Sequence, residues 1–116
     1  MPLGNLSTLP KQRSLNEYSA SRVAPAASET YAATDIDRVF LVTTPDSGVG
    51  TIKLLPPSHY AGEMLTFKAL NTGGGEVKIT DAAGTDVVGD NLSAVNDYVL
   101  LFSDGIQFWL IKEVTT

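Results

Sequence analysis

From Tyr31 onward the chain is a series of short apolar runs in which alternate positions differ in character. Leu65, Phe67 and Ala69 fall on one side of such a run, with Thr66 and Lys68 on the other; Val77 and Ile79 alternate with Lys78 and Thr80. A period of two is that of a β-strand with one face on a core and one face in water. The runs are rich in Val, Ile, Leu, Phe and Thr and are separated by Gly, Pro, Asn and Asp clusters at intervals of about 10 to 12 residues, which predicts an all-β domain. Strands are predicted at Arg38–Thr43, Gly50–Leu55, Met64–Asn71, Glu76–Asp81, Asp86–Val88, Tyr98–Phe102 and Ile106–Val114, with no helix between them. The expected architecture is a small antiparallel β-sandwich or barrel, jelly-roll-like, of about seven strands.

The connectors carry turn chemistry. Asp46-Ser47-Gly48, Asn71-Thr72-Gly73-Gly74-Gly75, Ala83-Gly84 and Ser103-Asp104-Gly105 all supply residues that tolerate positive φ, and hairpins are expected at them. Asp104-Gly105 joins the two most apolar runs and predicts a tight antiparallel pair. Pro56-Pro57 ends its strand, because proline has no N–H to give to a ladder. Unlike the earlier strands, Val99-Leu100-Leu101-Phe102 and Phe108-Trp109-Leu110-Ile111 are apolar at every position. This last hairpin therefore needs cover on two sides, one from a second sheet and one from a partner subunit or from the arm described next.

Residues 1–30 are rich in Ser, Ala, Pro and Asn and have no sustained apolar period, so they predict an extended N-terminal arm attached to a domain spanning 31–116. Ser14 and Glu17 have the spacing of a capping box, and Leu15, Tyr18 and Val23 offer the stripe of one short helix that would be ordered only when docked. The candidate partner-binding residues are Leu15, Tyr18 and Arg22 in the arm and Val99, Leu101, Trp109 and Ile111 in the terminal hairpin.

Charge narrows the partners. Residues 1–30 hold three basic and two acidic residues, net +1, whereas residues 31–116 hold five basic against eleven acidic, net −6. A body of that sign does not suit nucleic acid, whose phosphates need clustered Lys or Arg. No apolar stretch approaches the roughly 18 residues of a membrane span, and the N-terminus lacks the pattern of a signal peptide, so a soluble, unprocessed chain with no membrane partner is expected. There is no cysteine, which excludes disulfides and thiolate metal sites.

Little in the sequence suggests catalysis. His59, the one histidine, sits between Ser58 and Tyr60 in a loop after two prolines, and adjacent residues point apart and build no relay. Asp81, Asp86, Asp90 and Asp97 lack the spacing of a calcium loop and read as turn formers. Gly73, Gly74 and Gly75 precede a strand, whereas a phosphate cradle needs a helix N-terminus behind it. No cofactor and no enzymatic activity are expected.

The stretch Thr51–Lys112 resembles a β-domain found in virion proteins of tailed bacteriophages, in tail-fibre and head-decoration components. The resemblance is carried by Leu55-Pro56, by Gly62 before Leu65-Thr66-Phe67-Lys68 and Asn71, by Val77-Lys78-Ile79 leading to Ala83-Gly84, and by Ser103-Asp104-Gly105 opening an aromatic terminal strand. Where that pattern usually has Trp-Tyr, this chain has Phe108-Trp109, and the usual polar pair between is Ile106-Gln107. The resemblance implies a non-enzymatic virion structural protein, commonly a homotrimer. Standing as a small chain with its own arm, the protein is expected to be a capsid decoration (cement) protein on the outer surface of the particle, with the major capsid protein and itself as partners. The alternative it leaves open is a head-fibre or tail-fibre/adaptor protein that displays a receptor-binding domain.

Overall fold

A computed structural model describes residues 19–115. Among these residues eight strands follow in chain order: β1 (Ser19–Val23), β2 (Thr30–Ala32), β3 (Asp37–Thr43), β4 (Val49–Lys53), β5 (Glu63–Asn71), β6 (Glu76–Thr80), β7 (Tyr98–Ser103) and β8 (Phe108–Val114), with a 3-10 turn at Pro57–Tyr60. The fold is all-β as expected, but its topology is not that of an antiparallel sandwich. One sheet has the order β1-β3-β5-β7-β8 and the other the order β2-β4-β6. The chain thus changes sheet at every connection from β1 to β7, and each pair of strands forms one rung of a short solenoid.

Stacking of successive rungs makes β1–β3, β3–β5, β2–β4 and β4–β6 parallel; only β5–β7 and β7–β8 are antiparallel. Ala20 lies beside Val39, and Val39 beside Thr66, so equivalent positions are 19 and then 27 residues apart. In the second sheet, Thr30 lies beside Thr51 and Val49 beside Glu76, spacings of 21 and 27. The β7–β8 hairpin then closes the larger sheet. The smaller sheet is closed by the loop after β6, through isolated bridges Val77 to Leu92 and Thr80 to Asp86. The expected strand at Asp86–Val88 amounts to that last bridge alone.

The alternation read from the sequence in β5 and β6 places Leu65, Phe67, Ala69, Val77 and Ile79 inward, and the rungs align it with the neighbouring strands. Ser21, Phe40, Phe67 and Val99 are successive neighbours across the larger sheet and face inward. Phe40 and Phe67 stack with centroids 4.5 Å apart and planes 11° from parallel. Tyr31, Ile52 and Ile79 form the matching inner column of the smaller sheet, and Tyr31 meets Phe40 edge-on at 6.4 Å. Val42, Leu54, Tyr60, Leu65, Val77, Leu92 and Leu101 complete the buried core.

Two buried carboxylates hold connectors rather than ligands. Asp37 accepts hydrogen bonds from Ser21 Oγ (2.5 Å), Tyr31 Oη (3.0 Å) and the Thr34 amide (2.9 Å). Asp97 accepts from the amides of Ser93 and Ala94. Burial and the Asp37 carboxylate both raise the Tyr31 phenol above its ordinary pKa, burial being the larger cause, so Tyr31 keeps its proton as donor.

The glycine-rich connectors at 44–48 and 72–75 are corners between sheets, not hairpins. They lie one on the other: the Gly75 amide donates to Pro45 O (2.9 Å), the Glu76 amide to Gly48 O (2.9 Å), and the Gly73 amide to Thr44 Oγ1 (3.0 Å). A Cβ on Gly75 would stand 2.6 Å from Gly48 O and 2.8 Å from Pro45 O. Glycine is required there by the close approach of backbone to backbone.

Two further expectations change. Residues 19–30 do not form part of an arm outside the domain: β1 and the start of β2 make its first rung, so the expected boundary at 30/31 falls inside that rung. Val23, expected on a helical stripe, is instead buried at the end of β1, because its column continues into Val42 and Ala69. The remainder of the expected arm and helix, including Leu15 and Tyr18, lies outside the described residues.

Corner stacking predicts a large difference between two glycines. Gly75→Ala forces a methyl group against carbonyl oxygens that cannot rotate away and is expected to destabilise by about 3 kcal/mol, which lowers Tm by roughly 10 to 20 °C in thermal denaturation. Gly84 has φ +90° but open space around it. Gly84→Ala therefore meets only backbone strain, about 1 kcal/mol.

Candidate interaction surface

The larger sheet is five strands wide and the smaller one three. Its inner face covers the core, and its outer face is left to solvent among the described residues. Pairing places the outward side chains in three rows. The first contains Arg22, Leu41, Lys68, Tyr98 and Val114, and the second Ala20, Val39, Thr66, Leu100 and Lys112. The third contains Met64, Phe102 and Trp109. With strands about 4.8 Å apart and rows about 6.8 Å apart, the two five-strand rows cover roughly 24 by 14 Å, and the third row extends this by about 7 Å over three strands.

No residue of these rows is buried, and nine of the thirteen are apolar or aromatic. Trp109 is 48% exposed and Met64 41%. The remaining polar positions are Thr66 and three cations, Arg22, Lys68 and Lys112, and no acidic side chain occurs in the rows. In a chain of net charge −5 these rows carry no carboxylate of their own, the nearest described one being Asp104 at the hairpin tip, bonded to the Trp109 indole. Apolar patches of this extent mark contact surfaces in soluble proteins.

Strand alternation sorts the residues expected at a partner. Arg22 and Trp109 lie on the outer face. Ile111 is 56% exposed, at a bulge where β8 has one residue more than β7: Leu100 pairs with Lys112, and Leu101 with Leu110. Val99 and Leu101 are fully buried, because they point into the core beside Phe67 and Leu65. Their place on the outer face is taken by Leu100 and Phe102. A run that is apolar on both faces does not say which alternate set is outward, so Val99 and Leu101 are corrected to core residues. Met64, Val39 and Leu41 join the surface without having been expected there, although the period-two pattern does place Met64 opposite to Leu65.

Trp109 is fixed in place from the hairpin tip. Asp104 Oδ1 accepts from the amides of Ile106 (2.7 Å) and Gln107 (2.8 Å), closing the turn, while Oδ2 accepts from the indole Nε1–H of Trp109 at 2.8 Å. The Ser103 hydroxyl anchors the turn by donating to Pro57 O at 2.6 Å. An aromatic residue held this way loses less side-chain freedom when a partner covers it.

A half-open groove of about 550 Å³ lies on the opposite side of β8, where that strand overhangs the loop after β6. It is lined chiefly by Asp81, Asp86, Val87, Val88, Phe108 and Leu110. Asp81 Oδ1 accepts from the amides of Ala83 and Thr85, in keeping with a turn former. Glu113 closes one margin by accepting from the amides of Gly89 and Asp90. His59 is exposed in the 3-10 turn, and no group of three or more His, Cys, Asp or Glu among the described residues could hold a metal ion.

The Asp104–Trp109 bond has a pH signature. The indole donor is the largest cause that lowers the Asp104 pKa below its ordinary value, followed by the Gln107 and Ile106 amides. A depressed folded pKa means that the contribution is present above the unfolded-state value and is lost as pH falls through the folded one. Trp109 is the only tryptophan. Its emission should therefore change in acid, with a midpoint below that of a free aspartate, and Asp104→Asn should abolish the transition.

Comparison of the chain with protein-family models, with curated proteins and with solved structures gave no match.

Proposed function

We propose that this chain is a non-enzymatic structural subunit of a tailed-phage virion, a decoration (cement) protein that sits on the outer surface of the capsid as an oligomer and stabilises the shell. The observation that carries this proposal is the outer face of the larger sheet, a largely apolar surface with a pinned tryptophan and no carboxylate in its rows. A face of this kind gains free energy by being pressed against protein, at about 25 cal/mol for each Å² of apolar surface removed from water. The resemblance of Thr51–Lys112 to virion β-domains supplies the setting, with the major capsid protein and further copies of the chain, as a homotrimer, for partners. Its mechanism needs no reaction: many copies each add one interface, and the sum holds neighbouring capsid proteins together.

Immunogold labelling of purified particles tests the setting: label over the shell is expected, label at an appendage would favour a fibre or adaptor, and no label on particles would overturn the proposal. Trp109→Ala tests the surface. With half its side chain already in water, Trp109 contributes little to the core, so the variant should keep its Tm within a few degrees yet occupy particles at least about tenfold more weakly. Removal of residues 1–18, which leaves every described strand in place, is expected to preserve Tm and reduce particle occupancy.

A further inference from the structure

We propose that the outer face of one copy seats in the acidic groove of the next, so that the chain assembles with itself head to tail through the two sides of strand β8. This rests on the proposal that the outer face is a protein-binding surface, and names its occupant.

The two surfaces match in chemistry. The outer face offers Met64, Phe102 and Trp109, with Lys112 in the adjoining row and Lys68 in the row beyond. The groove offers Val87, Val88, Phe108 and Leu110 with Asp81 and Asp86. Both are apolar floors with charge at the margin, and the charges are opposite. Neither lysine is in an ion pair among the described residues.

Strand geometry makes the contact intermolecular. Trp109 and Lys112 point to one side of β8, and Phe108 and Leu110 to the other. The two sides of one strand cannot be folded onto each other within one molecule, so a contact between outer face and groove joins two copies, the groove side being already packed in part against the core through Val87, Val88 and Phe108. Pairing of outer face with outer face is disfavoured, because it sets Arg22, Lys68 and Lys112 against the same three cations across an apolar contact. Face into groove replaces that repulsion with attraction. Such a contact joins unlike patches, and it closes into a ring where the rotation permits and otherwise extends as a filament.

Charge reversal tests the pairing directly. Sedimentation of the full-length protein over a concentration series is expected to give a self-associating species. Lys112→Glu alone and Asp86→Lys alone should each weaken association about tenfold or more. Mixing the two single variants in equal amounts should restore association in part, because every contact in an alternating open chain, and two of the three contacts in a mixed three-membered ring, then join opposite charges. The double variant, with both signs exchanged, should recover association as a pure species. Recovery in the mixture and in the double variant supports the head-to-tail contact. A chain that is monomeric throughout, whose association survives both single reversals, or whose double variant stays dissociated, overturns it. If in any of these cases Trp109→Ala still weakens particle binding, the outer face remains a docking surface and only its occupant is misassigned.

Discussion

The structure depends on backbone stacking between rungs at the 44–48 and 72–75 corners. Parallel strands pair along their length only if the chain leaves and re-enters each sheet at a constant height, and the corners set that height. Gly75 and Gly73 let one corner rest directly on the other, with amides donating to the carbonyls and hydroxyl below. Once the corners are stacked, equivalent strand positions fall side by side, and Phe40 lies flat on Phe67. Core columns and outer rows both follow from that one alignment.

Width then separates core from surface. The smaller sheet and the loop after β6 cover the inner face of the larger sheet, which buries Val99 and Leu101, but β8 overhangs and leaves Leu110 half in water. Among the described residues, none covers the outer face. The bulge at Ile111 reverses the alternation within β8, which is why Lys112 joins the row of Leu100 while Trp109 joins that of Phe102. An exposed hairpin with apolar groups on both sides is costly for a solitary molecule, and self-association or docking offsets that cost.

Much of this is legible in the sequence. Short apolar runs between turn clusters locate six of the eight described strands, period-two alternation gives the inward residues of β5 and β6, and Asp104-Gly105 locates the β7–β8 hairpin. Parallel pairing is not legible. A glycine-rich connector of four or five residues serves a hairpin or a corner equally well, and rung spacings of 19 and 27 residues conceal the repeat that a regular solenoid would display. β1 and β2 are hidden because short strands such as Ser19–Val23 and Thr30–Ala32 are polar where they face water and meet the core at only one or two positions. At the surface, the importance of the last hairpin is readable from its composition, while its outward set depends on register.

Radical footprinting of the protein, free at a dilution where it is dissociated and bound to particles, read by mass spectrometry, tests the central claim most directly. If the outer face is where protein docks, oxidation of Met64 and Trp109 should fall several-fold on binding. Equal oxidation of both residues in the free and bound states would contradict the account.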